Sequence, residues 1–485
     1  GARLALGQGE AAQKFRRATD LRKQSGRLQA ELLQLVTLPL AERDTSREKA
    51  VRDRSAALEG EFQQLEAELR AEVPSLSDLT GGGVLSLAEA QAMLAPDEAL
   101  VVVDLAAEPE GRHYIIALSR DRVMWKELLW TTDSFSGAVA DIRRSIALQM
   151  GTRAAAALDG ETPEQPKGFD IAAAHWLYAE TLGQVAEVTA GKAHLYLDLR
   201  GAMASVPPHL LVVSDDGGVD PAKVDWLVRH HAVSVIPSVF SLKSAAMART
   251  RAPAPEPLLA FADPEFDLAK GGELVAALDT GRQEVLRGAL QPLPETAGEV
   301  REVAGVLGAP VAALRLGAAA SEAGLKAEPL DRFRVLHFAT HGLVAGDAVG
   351  GTVLGEPALA LTPGRGEDGF LTVSEILDLR LNADWVVLSA CNTAVGNAPG
   401  GEALSGLAQA FFYAGARGLL VSHWPVESRS AARLMTETFR LRAETPGLRA
   451  AEAQRQAMLA MIDAPGGRWS HPAYWSPFVL VGSPD

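Results

Sequence analysis

Two short apolar runs limit what this chain can become. RVLHFATHG (334–342) and VVLSACNTA (386–394) each read as a strand that is apolar on both faces. Such strands are buried on both sides, as in the interior of a parallel or mixed sheet covered by helices. Each run also ends in a reactive group. The first delivers His341 followed by Gly342, and the second delivers Cys391, the single cysteine of the chain. A thiol and an imidazole at the ends of buried strands are the two parts of a nucleophile and its base.

The surrounding pattern fits this reading. Strand-like runs at 98–105, 113–119, 122–128 and 192–200 alternate with helical patterns at 134–149 and 170–190, and VRHHAVSVIPS (228–238) closes a first α/β unit. The Pro-rich joint APAPEP (252–257) separates it from a second. There LLAFADPEF (258–266) is followed by a helix capped near Thr296, a further cap at Ser321, and then the His and Cys strands. A helix over 401–416 stopping at Gly418, a strand at 417–426, helices at 430–443 and 448–462 and a strand at 477–482 complete the unit. Ahead of all this, residues 10 to 72 carry helical periodicity broken at Pro39, with Thr45 or Ser46 as a cap. The expectation is an antiparallel helical hairpin. Its charged faces fit solvated surface, and its narrow apolar seam equally fits docking of a neighbouring repeat. The domains expected are therefore 1–75, 80–250 and 257–485.

Composition removes several classes of function. A formal charge of −15 without a basic run argues against nucleic acid. No run of about 18 apolar residues is present for a membrane span. A lone cysteine permits no intrachain disulfide, which fits a reducing cytoplasm. The N-terminus lacks the apolar stretch of a secretory signal, and starting at Gly1 fits either a remnant of cloning or the cut end of a longer protein. His337 and His341 stand four apart, as in a zinc helix, but the required glutamate is Phe338 and the segment reads as a strand, so no metal is expected. The loops 346–351 and 396–406 lack the Gly-Lys-Ser/Thr ending of a phosphate loop, which disfavours a nucleotide-handling enzyme, and no cofactor is expected. They read as walls of a substrate groove. His175, His209, His230 and His231 lack partners for chemistry and read as structural or surface groups.

A thiol is activated by an adjacent imidazole or helix N-terminus, and Cys391 has candidates for both in His341 and the helix starting near Gly401. The backbone N–H groups of Gly342 and Cys391 are candidate oxyanion donors. The bland alternative is a small buried cysteine and a satisfied core histidine.

RVLHFATHG, VVLSACNTA, GEALSGLAQAFFYAGARGLLVSHWPV and the ending HPAYWSPFVLVG together resemble a CHAT domain. This is a caspase-like, separase-related cysteine peptidase domain of clan CD, often found behind tetratricopeptide repeats in bacteria. The likeness covers roughly residues 80–485, with its motifs in the last 150. The resemblance implies a caspase-like sheet flanked by helices, in two tandem units. The first is a pseudo-caspase half without a dyad, and the helical hairpin is the end of a repeat array. It implies His341 as general base, Cys391 as nucleophile and Gly342 as oxyanion donor. It also implies a protein substrate bound as an extended peptide, a regulatory protein partner on the helical segment, and a role in bacterial stress or antiphage signalling. Trp424 then lines the pocket for the residue before the cut. Family members often carry aspartate where Glu427 stands, and related peptidases place one at the position of Ser389. An acidic pocket would favour Arg or Lys. The alternative for Glu427 is a helix N-terminal charge beside Ser428 and Ser430. The rival to a peptidase is a caspase-like fold kept as a non-catalytic scaffold.

Overall fold

The runs around residues 336 and 387 become neighbouring parallel strands of one large sheet. The computed structural model describes residues 45–72, 85–106, 111–151, 168–239, 252–266, 292–343, 357–389, 406–424 and 426–482, with isolated exceptions and a few further positions. In chain order the strands are β1 (Glu98–Asp104), β2 (His113–Ser119), β3 (Val123–Leu128), β4 (His194–Leu199), β5 (Val212–Ser214), β6 (Asp225–Trp226), β7 (Ala232–Val235), β8 (Glu256–Pro264) and β9 (Leu314–Gly317). They continue as β10 (Phe333–Ala339), β11 (Gly342–Leu343), β12 (Ala348–Val349), β13 (Thr352–Val353), β14 (Ala358–Ala360), β15 (Phe370–Thr372), β16 (Trp385–Leu388), β17 (Gly418–Ser422) and β18 (Phe478–Gly482). Eleven of them form a single sheet in the order β3-β2-β1-β4-β7-β18-β17-β16-β10-β8-β9. Strands from the first α/β segment thus continue directly into those of the second. β18 joins the two groups, antiparallel to β17 and parallel to β7 through Val481 and Val235.

The interior strands β4, β7, β16, β17 and β18 are buried at every position. Helices cover both faces, as strands of this kind require. The helices used below are α1 (Thr45–Glu72), α2 (Leu87–Met93), α3 (Thr132–Gln149), α4 (Ile171–Ala179), α5 (Thr296–Leu307), α6 (Glu322–Ala327), α7 (Val373–Ile376), α8 (Gly406–Ala414), α9 (Ser428–Glu444), α10 (Ala450–Ile462) and α11 (Pro472–Trp475). Alternation along β10 assigns the faces. Phe338 stacks on Phe261 and meets Phe411 of α8, while His337 points the other way to Glu299 of α5.

Local sequence sets the element ends. Ser86 and Glu89 form a reciprocal capping box at α2, Thr131 caps α3, and Ser321 caps α6 as its sequence predicts. Thr296 is the first residue of α5 and not its cap. Its hydroxyl is donated to the Leu293 carbonyl and accepts the Asp263 N–H, which fastens α5 to the end of β8. The helix after the Cys strand stops at Gly415 rather than Gly418. Gly415 has φ 124°, and a Cβ there would lie 2.2 Å from the Leu381 carbonyl oxygen, so only glycine fits. The strand expected over 417–426 closes at Ser422, and the expected helix over 170–190 breaks after Ala179 into 3₁₀ and short helical turns. In the N-terminal segment the second expected helix is α1, with Val51 and Leu58 buried. Most of the first lies outside the described residues, although Arg17 reaches Glu61 of α1 at 2.9 Å.

The two sheet halves are also linked by charge. Arg449, the residue preceding α10, lies 3.0 Å from Asp97 and 3.5 Å from Glu98 at the start of β1. Burial pushes the Glu98 carboxyl up. The neighbouring His194, the Ala95 N–H at 2.8 Å and the Arg449 guanidinium outweigh it and hold the group at about 2, below its ordinary 4.5. A depressed carboxylate contributes stability that is full above 4.5 and is lost as pH falls towards 2. Glu98→Gln should flatten the pH dependence of the urea midpoint in this acidic window and leave the slope above pH 6 unchanged. An identical acid limb in wild type and variant would refute the assignment.

Candidate active site

Three parallel neighbours, β10, β16 and β17, end at one edge of the sheet, with Phe338 level with Leu388 and Leu388 level with Val421. Open α/β sheets collect sites at such carboxyl ends. His341 stands two residues beyond Ala339. Ser389 follows Leu388 directly, and its N–H is donated to the Phe338 carbonyl at 2.9 Å. The chain then enters residues 390–405, which hold Cys391 and lie outside the described residues. The structure therefore brings together the strand ends that lead to His341 and Cys391.

The backbone around His341 is held from one side. The Thr340 hydroxyl donates to the Ala360 carbonyl, and the Ala360 N–H donates to the His341 carbonyl at 2.9 Å. Gly342 pairs with Leu359 in a small antiparallel sheet, β11-β14-β15. The imidazole is half-buried, with its centroid 5.4 Å from the Phe266 ring. Of the two expected oxyanion donors, Gly342 begins β11, while Cys391 is outside the described residues.

An ionic clasp backs that small sheet. Lys326 of α6 places its ammonium 2.7 Å from Glu322, 2.8 Å from Glu367 and 2.8 Å from Glu375. Glu322 is fully buried and also accepts the Gly369 N–H at 2.8 Å, just ahead of β15. Burial pushes the Glu322 carboxyl up to about 7 against the pull of Lys326, while Glu375, also buried in part, is held low by Lys326 and by the Thr372 groups. Among the described residues these three carboxylates are the one cluster with metal-ligand spacing, and the lysine ammonium fills its centre.

Ser389 is half-buried, and its Oγ lies 3.3 Å from Glu299 Oε2. Trp424 is buried, and its indole N–H is donated to the Ala473 carbonyl at 3.1 Å. Glu427 is the N-cap of α9, accepting the Ser430 N–H at 2.7 Å. His337 is fully buried with Nε2 2.8 Å from Glu299 Oε1, a core histidine in a strand. Among the remaining histidines, His209 is buried, held neutral by burial at about 3, and His230 pairs with Asp225 at 2.5 Å. His175 and His231 bond to backbone carbonyls. The loop 346–351 is described only at β12, which pairs with β13.

Glu299 is the site neighbour that sequence reading missed. It occupies the buried stripe of α5 with Thr296, Val300 and Val303. A carboxylate at an apolar position of an amphipathic helix is a signal available in sequence. It also lines a groove of ≈ 640 Å³ with Glu295 and Glu302 on the α5 side, Arg429 and Arg433 on the α9 side, and Trp469.

With this geometry in view, a family model for the CHAT domain matches residues 172–483. The chain belongs to the CHAT family. Tetratricopeptide repeat protein 28 of Mus musculus is 35% identical over 113 residues, 23% of this chain. Its Homo sapiens counterpart is 33% identical over 113 residues. This CHAT chain spans only 4% of the length of either relative. Among solved structures it is similar to the Saccharomyces cerevisiae separase–securin complex, at 11% identity and TM-score 0.43, covering 90% of this chain and 33% of that one. It is similar also to the Arg-specific cysteine proteinase gingipain R, at 12% identity and TM-score 0.37, covering 64% and 67%. No helix among the described residues is long and apolar enough to cross a membrane.

Lys326→Met leaves three carboxylates around an apolar tip, so the fold should lose at least about 2 kcal/mol. Without the ammonium the buried Glu322 holds its proton more tightly, and a carboxyl raised in the fold costs stability as pH rises. The loss read from urea unfolding should be larger at pH 8 than at pH 5.5. An equal loss at both values would refute the clasp.

Proposed function

We propose that this CHAT protein is a cysteine endopeptidase with a His341–Cys391 dyad. The observation that carries the reading is the adjacency of β10 and β16, whose carboxyl ends lead to the two residues at one edge of the sheet. The Cys391 thiolate attacks a scissile peptide carbonyl, forming an S–C bond while the Gly342 N–H stabilises the oxyanion. The C–N bond breaks as the His341 imidazolium gives its proton to the leaving amine. Water, deprotonated by His341, then attacks the thioester carbonyl; the C–S bond breaks, the acid is released and the thiolate–imidazolium pair is restored. The groove lined by α5, α9 and α10 is the place this reading assigns to part of an extended peptide. α5 starts at the end of β8, and α9 follows the end of β17. The substrate is a protein partner, and a second protein acting through α1 and the segment before it would regulate access. A bacterial stress or antiphage setting in the cytoplasm belongs to the same proposal.

A second reading, a non-catalytic scaffold, draws on Trp424 and Glu427. Both are engaged within the protein, by Ala473 and by the α9 N-terminus. Glu427 so engaged lends no weight to a basic preference.

The test is labelling by chloromethyl ketones carrying Arg or Asp, with mass mapping of the adduct. Cys391 should be modified, and His341→Ala should slow the reaction at least about 100-fold. Cleavage of a partner substrate should vanish in Cys391→Ala. Equal labelling of wild type and His341→Ala would sink the dyad and favour the scaffold.

A further inference from the structure

Behind the two strand ends lies a buried polar tie that the proposed chemistry does not itself use. Glu299 is 2% exposed and His337 0%. The carboxylate spans two strands: Oε1 is 2.8 Å from His337 Nε2 on β10, and Oε2 is 3.3 Å from Ser389 Oγ after β16. His337 Nδ1 is buried without a hydrogen-bond partner, so the tautomer that leaves no donor stranded carries its proton on Nε2 and donates it to Glu299. A carboxylate taken out of water costs several kcal/mol unless its oxygens are satisfied. Here both oxygens are engaged, one on each strand.

The positions joined are particular. His337 precedes His341 by four residues, and Ser389 precedes Cys391 by two. α5, which carries Glu299, is itself fixed at its first turn to β8 through Thr296 and Asp263. One carboxylate on an anchored helix therefore grips both strands just before they release their reactive residues. The backbone bond from Ser389 to Phe338 sets the strand register. The side-chain tie adds the orientation of Ser389, from which the chain departs towards Cys391.

We infer that Glu299 is a positioning residue, whose carboxylate holds His337 and Ser389 and thereby sets Cys391 against His341. The inference rests on the proposed dyad. A displacement of about 1 Å between reacting groups costs on the order of 100-fold in rate, so a tie at this place acts on reactivity out of proportion to its effect on folding.

Because Cys391 is the only cysteine, alkylation of the full chain by iodoacetamide, followed across pH, reads its thiolate directly. In wild type the titration should lie below the ordinary thiol value of about 8.5 and return to it in His341→Ala. Glu299→Gln should slow labelling at pH 7 by about 10-fold and move the titration towards 8.5. Ser389→Ala, which keeps the buried pair intact, should move it part of the way, and Ser389→Thr, which keeps the hydroxyl, should restore it. A purely structural role would lower the thermal midpoint without moving the pH profile. A depressed, His341-dependent titration unchanged in Glu299→Gln and Ser389→Ala overturns this inference alone. If Glu299→Gln does not fold, the Ser389 pair decides. An ordinary wild-type titration, indifferent to His341→Ala, overturns the dyad and this inference with it.

Discussion

The parallel pairing of β10 with β16 is the constraint on which the rest depends. Strand pairing has a period of two, so a slip by one residue would turn every side chain to the wrong face. On β10 the faces are not interchangeable. One offers Phe338 to Phe261 and Phe411, and the other offers His337 to Glu299. An apolar stack on one side and a carboxylate on the other lock the register from both directions. The relative heights of His341 and Ser389 follow from that lock.

Support for the same edge comes from parts of the chain that carry no reactive group. The Lys326 clasp holds the segment around Gly369 and α7, and β14 in turn bonds to Thr340 and His341. The strand is thus fixed on one side by α5 and on the other by the small sheet. A histidine placed just past a strand end would otherwise ride on a loop, and loops alone hold geometry less well than paired backbone.

Much of this was legible in sequence. Unbroken apolar runs announced buried strands, Ser321 announced a helix start, and the His and Cys runs announced one sheet edge. The CHAT resemblance rested on those runs and agrees with the family match over 172–483. What was not legible depends on contacts between distant residues. The helix stop moved to Gly415 because the Leu381 carbonyl approaches its Cα, which no local pattern records. The hairpin of β14 and β15 was missed because its strands of three residues are too short for alternation to register. The resemblance implies Trp424 as a pocket residue, and the donation of its N–H to the Ala473 carbonyl is a further contact that no local pattern records.

The place of β18 bears on how the protein is made. It sits between β7 and β17, so the edges of both groups of strands remain open until residues 478–482 arrive. Until then each group presents a row of unpaired backbone groups on strands that the finished fold buries throughout, the condition under which chains associate with each other. Residues 478–482 are therefore what joins the two groups of strands into one continuous sheet.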